Sequence, residues 1–361
     1  MSLETIFEQA EAKRLLRAAL HEGPAHAYLF HGPSGVGKET TAKAFAAELL
    51  GSPDRVAHET HPDLYVVRQF GQMIRLEEIH ELHRDLHLRP FEADRRIYLL
   101  LDAHLMNRDA ADSLLKDLEE PPAYAVIILV ADQLAAISPT IRSRCQPVPF
   151  SRLSTRTIRA QAELLAPELA RAERDALARV AGGRLDRLRW LLESQAGGRR
   201  EQVLAVARST YADEAFDPTA AALAVLASAK ARAREEGDRA ALKAEEFGLI
   251  ESRAEQMVKR AKHGAEREDV LGSLEELATW FRDLVAVGVG ADAAAINADR
   301  LDQLRADASP ARTAAAEEAA DAVLGTWREL ERLNIAPQLA LEALFVRVRR
   351  LVGPRKTVDP G

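Results

Sequence analysis

Cysteine is almost absent. Cys145 is the one cysteine in 361 residues, which excludes an intrachain disulfide framework and any cysteine-based zinc cluster. Lysine is also scarce, so arginine is the default cation and an isolated arginine says little about function. No apolar run approaches the roughly 18 residues that a membrane span needs. The opening stretch MSLETIFEQAEAKRLL lacks a basic segment followed by an apolar core, so it does not read as a secretory leader. A cytoplasmic protein with no membrane partner is expected. Excess positive charge is missing too. The chain has 49 basic against 56 acidic residues, a net charge of −7, and a sequence pI near 5.9. That argues against coating nucleic acid through bulk charge, though a local basic patch survives the argument. What remains is an ordinary soluble composition, 47% hydrophobic and 29% charged, long enough for two or three domains.

The N-terminal part alternates short β-rich runs with helical patterns. The runs are Tyr28 to His31, Asp63 to Val67, Arg96 to Leu101 and Ala125 to Ala131. The last two are nearly continuous apolar stretches, the pattern of strands buried on both faces of a parallel sheet. Alternating β and α elements predict an α/β layer fold. After Phe150 the strand signal stops. A helical pattern runs from Ser151 to about Arg208, broken at Gly182-Gly183. Asp213 to Pro218 reads as a linker or helix start, and the remainder is Ala- and Leu-rich and helical. Leu271, Leu274, Leu277, Phe281, Leu284 and Val285 share one helical face, and Leu341, Leu344, Phe345, Val348 and Leu351 share another. Such stripes suit packing within one chain or between chains. Ala306 to Ala322 carries no large apolar residue, and it reads as a solvated loop and helix.

The sharpest motif is Gly32-Pro-Ser-Gly-Val-Gly-Lys38, which follows a predicted strand and opens a helix. Its spacing, G-x-x-x-x-G-K, is that of a loop whose backbone N–H groups cradle phosphates while the lysine adds a point charge. Gly32, Gly35, Val36, Gly37 and Lys38 are the candidate phosphate-binding residues, with Thr40 beside them. The next position should be a Ser or Thr that ligates Mg²⁺. Here it is Glu39, whose carboxylate repels a triphosphate, and Thr40 falls one residue late. The loop keeps the shape of a nucleotide site while lacking a standard magnesium ligand. ATP or ADP binding is left open, and catalytic competence is not expected.

His26 to Gly32, Ser113-Leu-Leu-Lys-Asp-Leu-Glu-Glu-Pro-Pro122, Ile141-Arg-Ser-Arg-Cys145 and Ala336 to Leu344 extend the pattern over most of the chain. With these residues the sequence resembles the bacterial clamp-loader AAA+ family of DNA polymerase III, the delta-prime type above all. The combination of LLKxLEEPP with SRC about 25 residues later is what makes the resemblance specific. It implies a P-loop NTPase-like parallel sheet with helices over 1–150, a small helical lid over 151–210 and an all-α collar for oligomerisation over 211–361.

The resemblance also assigns roles. Counting back from Leu114 to Pro122 places the metal-binding Asp of the motor subunits at Leu101, with Asp102 on the Glu position. The γ-phosphate-sensing Thr falls at Val130 or Ala131. The lid sensor arginine falls at Asp186, with Arg187 one residue off. A subunit that has lost ATP turnover is implied, with no cofactor required. Arg144 of the SRC motif would be presented in trans into a neighbouring ATP site, where a guanidinium offsets charge building on the γ-phosphoryl oxygens. Cys145 reads as a small buried hydrophobe. Many delta-prime relatives carry a four-cysteine zinc module where this chain has Leu49 to Leu64, a stretch without cysteine but with His58 and His61, so zinc is not expected. The implied partners are gamma/tau and delta subunits in a hetero-pentamer, and through it the β sliding clamp and primer-template DNA. Two other readings compete: an active gamma/tau-type ATPase motor, and a stand-alone AAA+ adaptor outside replication.

Overall fold

The structure is a computed structural model that describes residues 2–68, 73–246, 251–332 and 335–354. The chain forms two compact units, one of residues 1–160 with 182–186 and one of residues 161–181 with 187–361.

The first unit is built around a five-stranded parallel sheet. In chain order its elements are α1 (Ala10–Glu22), β1 (Ala27–His31), α2 (Lys38–Leu50), α3 (Pro53–Ala57), β2 (Leu64–Val67), α4 (Leu76–Leu86), β3 (Arg96–Leu100), α5 (Arg108–Glu119), β4 (Ala125–Ala131), α6 (Pro139–Arg142) and β5 (Gln146–Pro149). The strand order is β2-β3-β4-β1-β5, with every neighbouring pair parallel. Each central strand is apolar on both sides because helices cover both faces. Tyr28, Phe30, Ile97, Leu99, Val126, Ile128 and Val130 enter one core. Ala27, Leu29, Tyr98, Leu100, Ile127, Leu129 and Ala131 enter the other. This is the α/β, P-loop-type parallel sheet that the sequence predicts.

The fifth strand is one the sequence pattern hides. Gln146-Pro-Val-Pro149 carries two prolines, which a central strand excludes because each removes a ladder donor. At the sheet edge, beside β1 alone, they are tolerated.

The order of the strands positions the phosphate loop. His31, the last residue of β1, is registered with Ala131, the last residue of β4. The loop from Gly32 therefore emerges beside Asp132, in the crevice at the carboxyl ends of the strands where α/β folds place ligands.

Bridging the two units in sequence is α7 (Thr155–Leu165). The second unit is helical: α8 (Arg171–Val180), α9 (Leu185–Gly197, whose first two residues belong to the first unit), α10 (Arg199–Ala212), α11 (Pro218–Glu246), α12 (Glu251–Gly288), α13 (Leu301–Asp307), α14 (Pro310–Arg332) and α15 (Pro337–Val352). Pro218 and the Asp217 carboxylate, which accepts from Thr219 N–H at 2.8 Å, start α11. The two predicted stripes are satisfied within the chain. Leu274, Leu277, Phe281 and Leu284 of α12 share one core with Leu341, Leu344, Phe345 and Val348 of α15.

The Ala306–Ala322 stretch differs from expectation. It forms most of α14, and its Ala316, Ala319 and Ala322 are buried rather than solvated. Small side chains at helical spacing let α14 approach α12 closely. A Cβ at Gly288 of α12 would lie 2.1 Å from Thr313 Oγ1. Among the described residues, no helix is long and apolar enough to cross a membrane.

Candidate functional site

The phosphate loop runs from the end of β1 to the start of α2. Gly32 has φ +146°, and a Cβ there would stand 2.3 Å from the Phe150 carbonyl oxygen, so the return from β5 needs a glycine at this point. Val36 is buried, and its carbonyl accepts a long contact from Gln9 Nε2 at 3.4 Å. The same amide donates to Ser151 O at 2.8 Å and accepts from Ser151 N–H at 3.1 Å. Gln9 therefore ties the loop to the segment after β5. Gly37 caps α2.

Lys38 is 4% exposed and turned into the loop. Its ammonium donates to the carbonyls of Gly32, at 2.8 Å, and of Pro33. It also pairs with Asp132 Oδ1 at 2.7 Å. An ammonium has three donors, and these three acceptors use them all. A phosphate reaching the loop has to displace at least one. Positive charge on Lys38 also acts on His31, whose pKa is lowered first by burial and then by that charge.

Glu39, at the position of the expected magnesium ligand, has a different occupation. It pairs with Lys43 at 2.9 Å and with Arg68 at 2.8 Å. Both cations also hold Glu59, at 2.8 and 2.5 Å. The four form a closed ring of alternating charge. Burial alone would raise the Glu39 pKa. The charges of Arg68 and then Lys43 outweigh it and hold the carboxyl at about 2. Thr40 is exposed, whereas Thr41 is buried and donates its hydroxyl to Gly37 O at 2.7 Å.

Three further residues that the family resemblance singles out are apolar and internal. Leu101, Val130 and Ala131 all lie in the sheet cores. Asp102 follows in a left-handed conformation with φ +55°. It converges with His104 and Asp132, ligand atoms of the three lying within 4.8 Å of one another. Of the described residues these could contribute to a cation site, although Asp132 is already paired with Lys38. His58 and His61 do not join them. His58 Nδ1 lies 2.8 Å from Asp54 O, and His61 accepts from Asp63 N–H and faces Glu92.

Asp186 lies against the loop, and Leu185 N–H donates to Gly35 O at 2.8 Å. Arg187, one residue on, is committed to the helical unit. It pairs with buried Glu276, donates to Gly272 O at 2.8 Å and stacks on Trp190 with its guanidinium 4.5 Å from the ring centroid.

Arg144 lies on the other side of β5's entry. Ser138 caps α6 by accepting from Ile141 N–H, and the chain then alternates: Cys145 is buried while Arg144 is turned outward. Burial pushes the Cys145 thiol up to about 12, so it is an inert packing group rather than a nucleophile. The Arg144 guanidinium pairs with Glu119 at 2.5 Å and donates to Thr140 O at 3.1 Å. The LEEPP and SRC segments thus meet through these two side chains.

Comparison with known proteins bears on this arrangement. Residues 8–154 match the profile of the family described as "DNA polymerase III, delta subunit". Over these residues the chain is similar to that family. Two similar relatives are "DNA polymerase III subunit delta'" of Pseudomonas aeruginosa and of Bacillus subtilis. The first is 34% identical over 44% of this chain and 53% of its own length. The second is 33% identical over 37% and 44%. The chain thus spans about half the length of these relatives. A third, "DNA polymerase III subunit gamma/tau" of Mycobacterium tuberculosis, is 28% identical over 96% of this chain and 61% of its own length. The matched residues 8–154 include the sheet, the phosphate loop, Asp132 and Arg144.

Sequence reasoning missed Asp132 and the Arg68–Glu59 pair. Asp132 had one visible signal, an acid directly after the apolar β4 run. The ring had none.

Proposed function

We propose that the chain is a delta-prime-type clamp-loader subunit. It does not turn over ATP itself and supplies Arg144 in trans to an ATP site of a gamma/tau subunit. The observation that carries this reading is the contrast between the two ends of the sheet unit. At its own loop, Lys38 is held by Asp132, Glu39 is locked in the ion ring, and Leu101 stands where a motor needs a metal-binding carboxylate. At the SRC segment, Arg144 is on the surface, its planar fork held by the Glu119 carboxylate, which a phosphate can replace, and by the Thr140 carbonyl. In this proposal residues 151–210 act as the lid and 211–361 as the collar. The partners are gamma/tau and delta in a hetero-pentamer, which acts on primer-template DNA and the β sliding clamp in the cytoplasm.

The test uses the reconstituted complex. Arg144→Ala leaves the subunit folded and assembled, lowers ATP hydrolysis partially and impairs clamp loading. Lysine rescues poorly, because an ammonium lacks the fork that spans phosphoryl oxygens. Unchanged loading in a fully assembled complex rejects the finger.

The competing reading, an active gamma/tau-type motor, draws on the match to the gamma/tau relative over nearly the whole chain. Against it stand Glu39, Leu101, Val130 and Ala131. ATP turnover by the isolated chain decides between the two.

A further inference from the structure

A carboxylate stands where a side chain at Gly35 would be. A Cβ built on Gly35, whose φ is +69°, would lie 1.6 Å from Asp186 Oδ1 and 2.7 Å from Asp186 Oδ2. Asp186 is remote in sequence but belongs to the same compact unit as the loop.

The turn that delivers it is fixed at both ends. Gly182 and Gly183 have φ +57° and +82°. Arg152 donates to Gly182 O at 2.7 Å, and Leu153 N–H donates to Gly183 O at 2.9 Å. A Cβ at Gly183 would meet Leu153 O at 2.6 Å. At the other end, Leu185 N–H donates to Gly35 O at 2.8 Å, so the turn is tied to the loop backbone itself. The carboxylate is oriented by Arg184, whose Nε and terminal nitrogen reach Oδ1 at 3.2 Å and Oδ2 at 2.8 Å. Ser34 Oγ makes a longer contact to Oδ2 at 3.5 Å.

A phosphate loop works by gathering inward N–H groups, a helix N-terminus and a lysine around an anion. Here the lysine is engaged by Asp132, and a second carboxylate is fastened to the loop's rim. We propose that the Gly182–Asp186 turn is an internal latch on the phosphate loop, with the Asp186 carboxylate as a built-in anion that keeps nucleoside phosphates out. The latch acts through space, because the carboxylate is packed on Gly35. It also acts through charge, because its sign is that of the ligand it excludes. Arg184 holds the latch in place as a positioning residue. The inference concerns this loop alone and stands whether or not Arg144 acts in trans.

The test is calorimetry on the full chain with Mg-ADP, Mg-ATP and inorganic pyrophosphate as probes. The native chain shows no saturable binding at millimolar probe. Asp186→Ala and the nearly isosteric Asp186→Asn each tighten nucleotide binding at least about ten-fold, and adding Lys38→Ala abolishes the gain. If Asp186→Ala does not fold, Asp186→Asn carries the decision. The latch is overturned if Asp186→Asn, with the circular dichroism of the native chain, binds no better than the native chain. It is also overturned if the native chain already binds ADP at micromolar affinity, or if the gained binding survives Lys38→Ala.

Discussion

Lys38 and Asp132 form an ion pair at 2.7 Å between the first residue of α2 and the residue that follows β4. The two are brought together only because β1 and β4 are neighbours in register. The pair is lopsided: Lys38 is 4% exposed and Asp132 is 26% exposed. Removing the carboxylate strands a buried cation on two carbonyls. Removing the lysine leaves an acid that water can reach. Asp132→Ala is therefore expected to lower the urea midpoint more than Lys38→Ala, the first costing about 3 kcal/mol and the second about 1 kcal/mol. Equal losses, or the reverse order, would mean that the lysine is not held by this carboxylate.

The same engagement of Lys38 bears on turnover. The isolated chain is expected to hydrolyse ATP no faster than its Lys38→Ala variant. On the proposed reading, the physical ground is Leu101 at the metal-binding position and Val130 or Ala131 at the phosphate-sensing position, all internal to the sheet. A steady phosphate release that disappears with Lys38 would refute this and favour the motor reading.

The ring around Glu39 predicts a pH dependence. The folded carboxyl, at about 2, lies below the ordinary glutamate value of 4.5. Its stabilisation is therefore fully present above pH 4.5 and is lost as pH falls toward 2. Glu39 is 43% exposed, so solvent screening reduces the contribution to about 1 kcal/mol. The urea midpoints of the native chain and Glu39→Gln should differ by a constant amount above about pH 5.5 and converge between pH 4.5 and 2. A gap that widens on acidification would contradict the assignment.

The strands that can be read from the sequence are those buried on both faces, because two covered faces leave an unbroken apolar run. β5 escapes that logic, since an edge strand tolerates Pro147 and Pro149. The packing of α14 escapes it too, because Ala316, Ala319 and Ala322 bury little area each and look polar-neutral in sequence. At the site, the loop was legible from its glycine spacing alone. Its partners were not. Asp132 depends on strand order, and Arg68 and Glu59 depend on how the segments around β2 meet α2. The contact of Asp186 with Gly35 depends on a turn at Gly182-Gly183 that the sequence marks only as a break.

Cys145 gives a chemical check on the SRC segment. Its buried thiol, raised to about 12, stays protonated at neutral pH. A thiol reagent should modify it at pH 8 many times more slowly than it modifies free cysteine, and urea should remove the protection. Rapid labelling of the folded chain would place Cys145 on the surface and undo the alternation that turns Arg144 outward.

In the helical unit, Glu276 has no exposed surface and lies between two buried guanidiniums, Arg187 and Arg200. The three residues do not depend on one another equally. Arg200 keeps Asp299 at 2.7 Å and Asn297 at 2.6 Å if Glu276 is lost. Arg187 keeps the more distant Glu275 at 3.4 Å and the Gly272 carbonyl. Glu276→Ala therefore leaves two buried cations short of charge and is expected to cost about 3–5 kcal/mol. Glu276→Gln retains the shape and one acceptor but not the charge, and should cost about half as much. Arg187→Ala should cost less than Glu276→Ala, because Arg200 still neutralises the carboxylate. Urea unfolding followed through Trp190 and Trp280, both packed in this unit, reads all three. A Glu276→Ala loss below about 1 kcal/mol would mean that water enters the cluster and that apolar packing alone holds α9, α10 and α12 together.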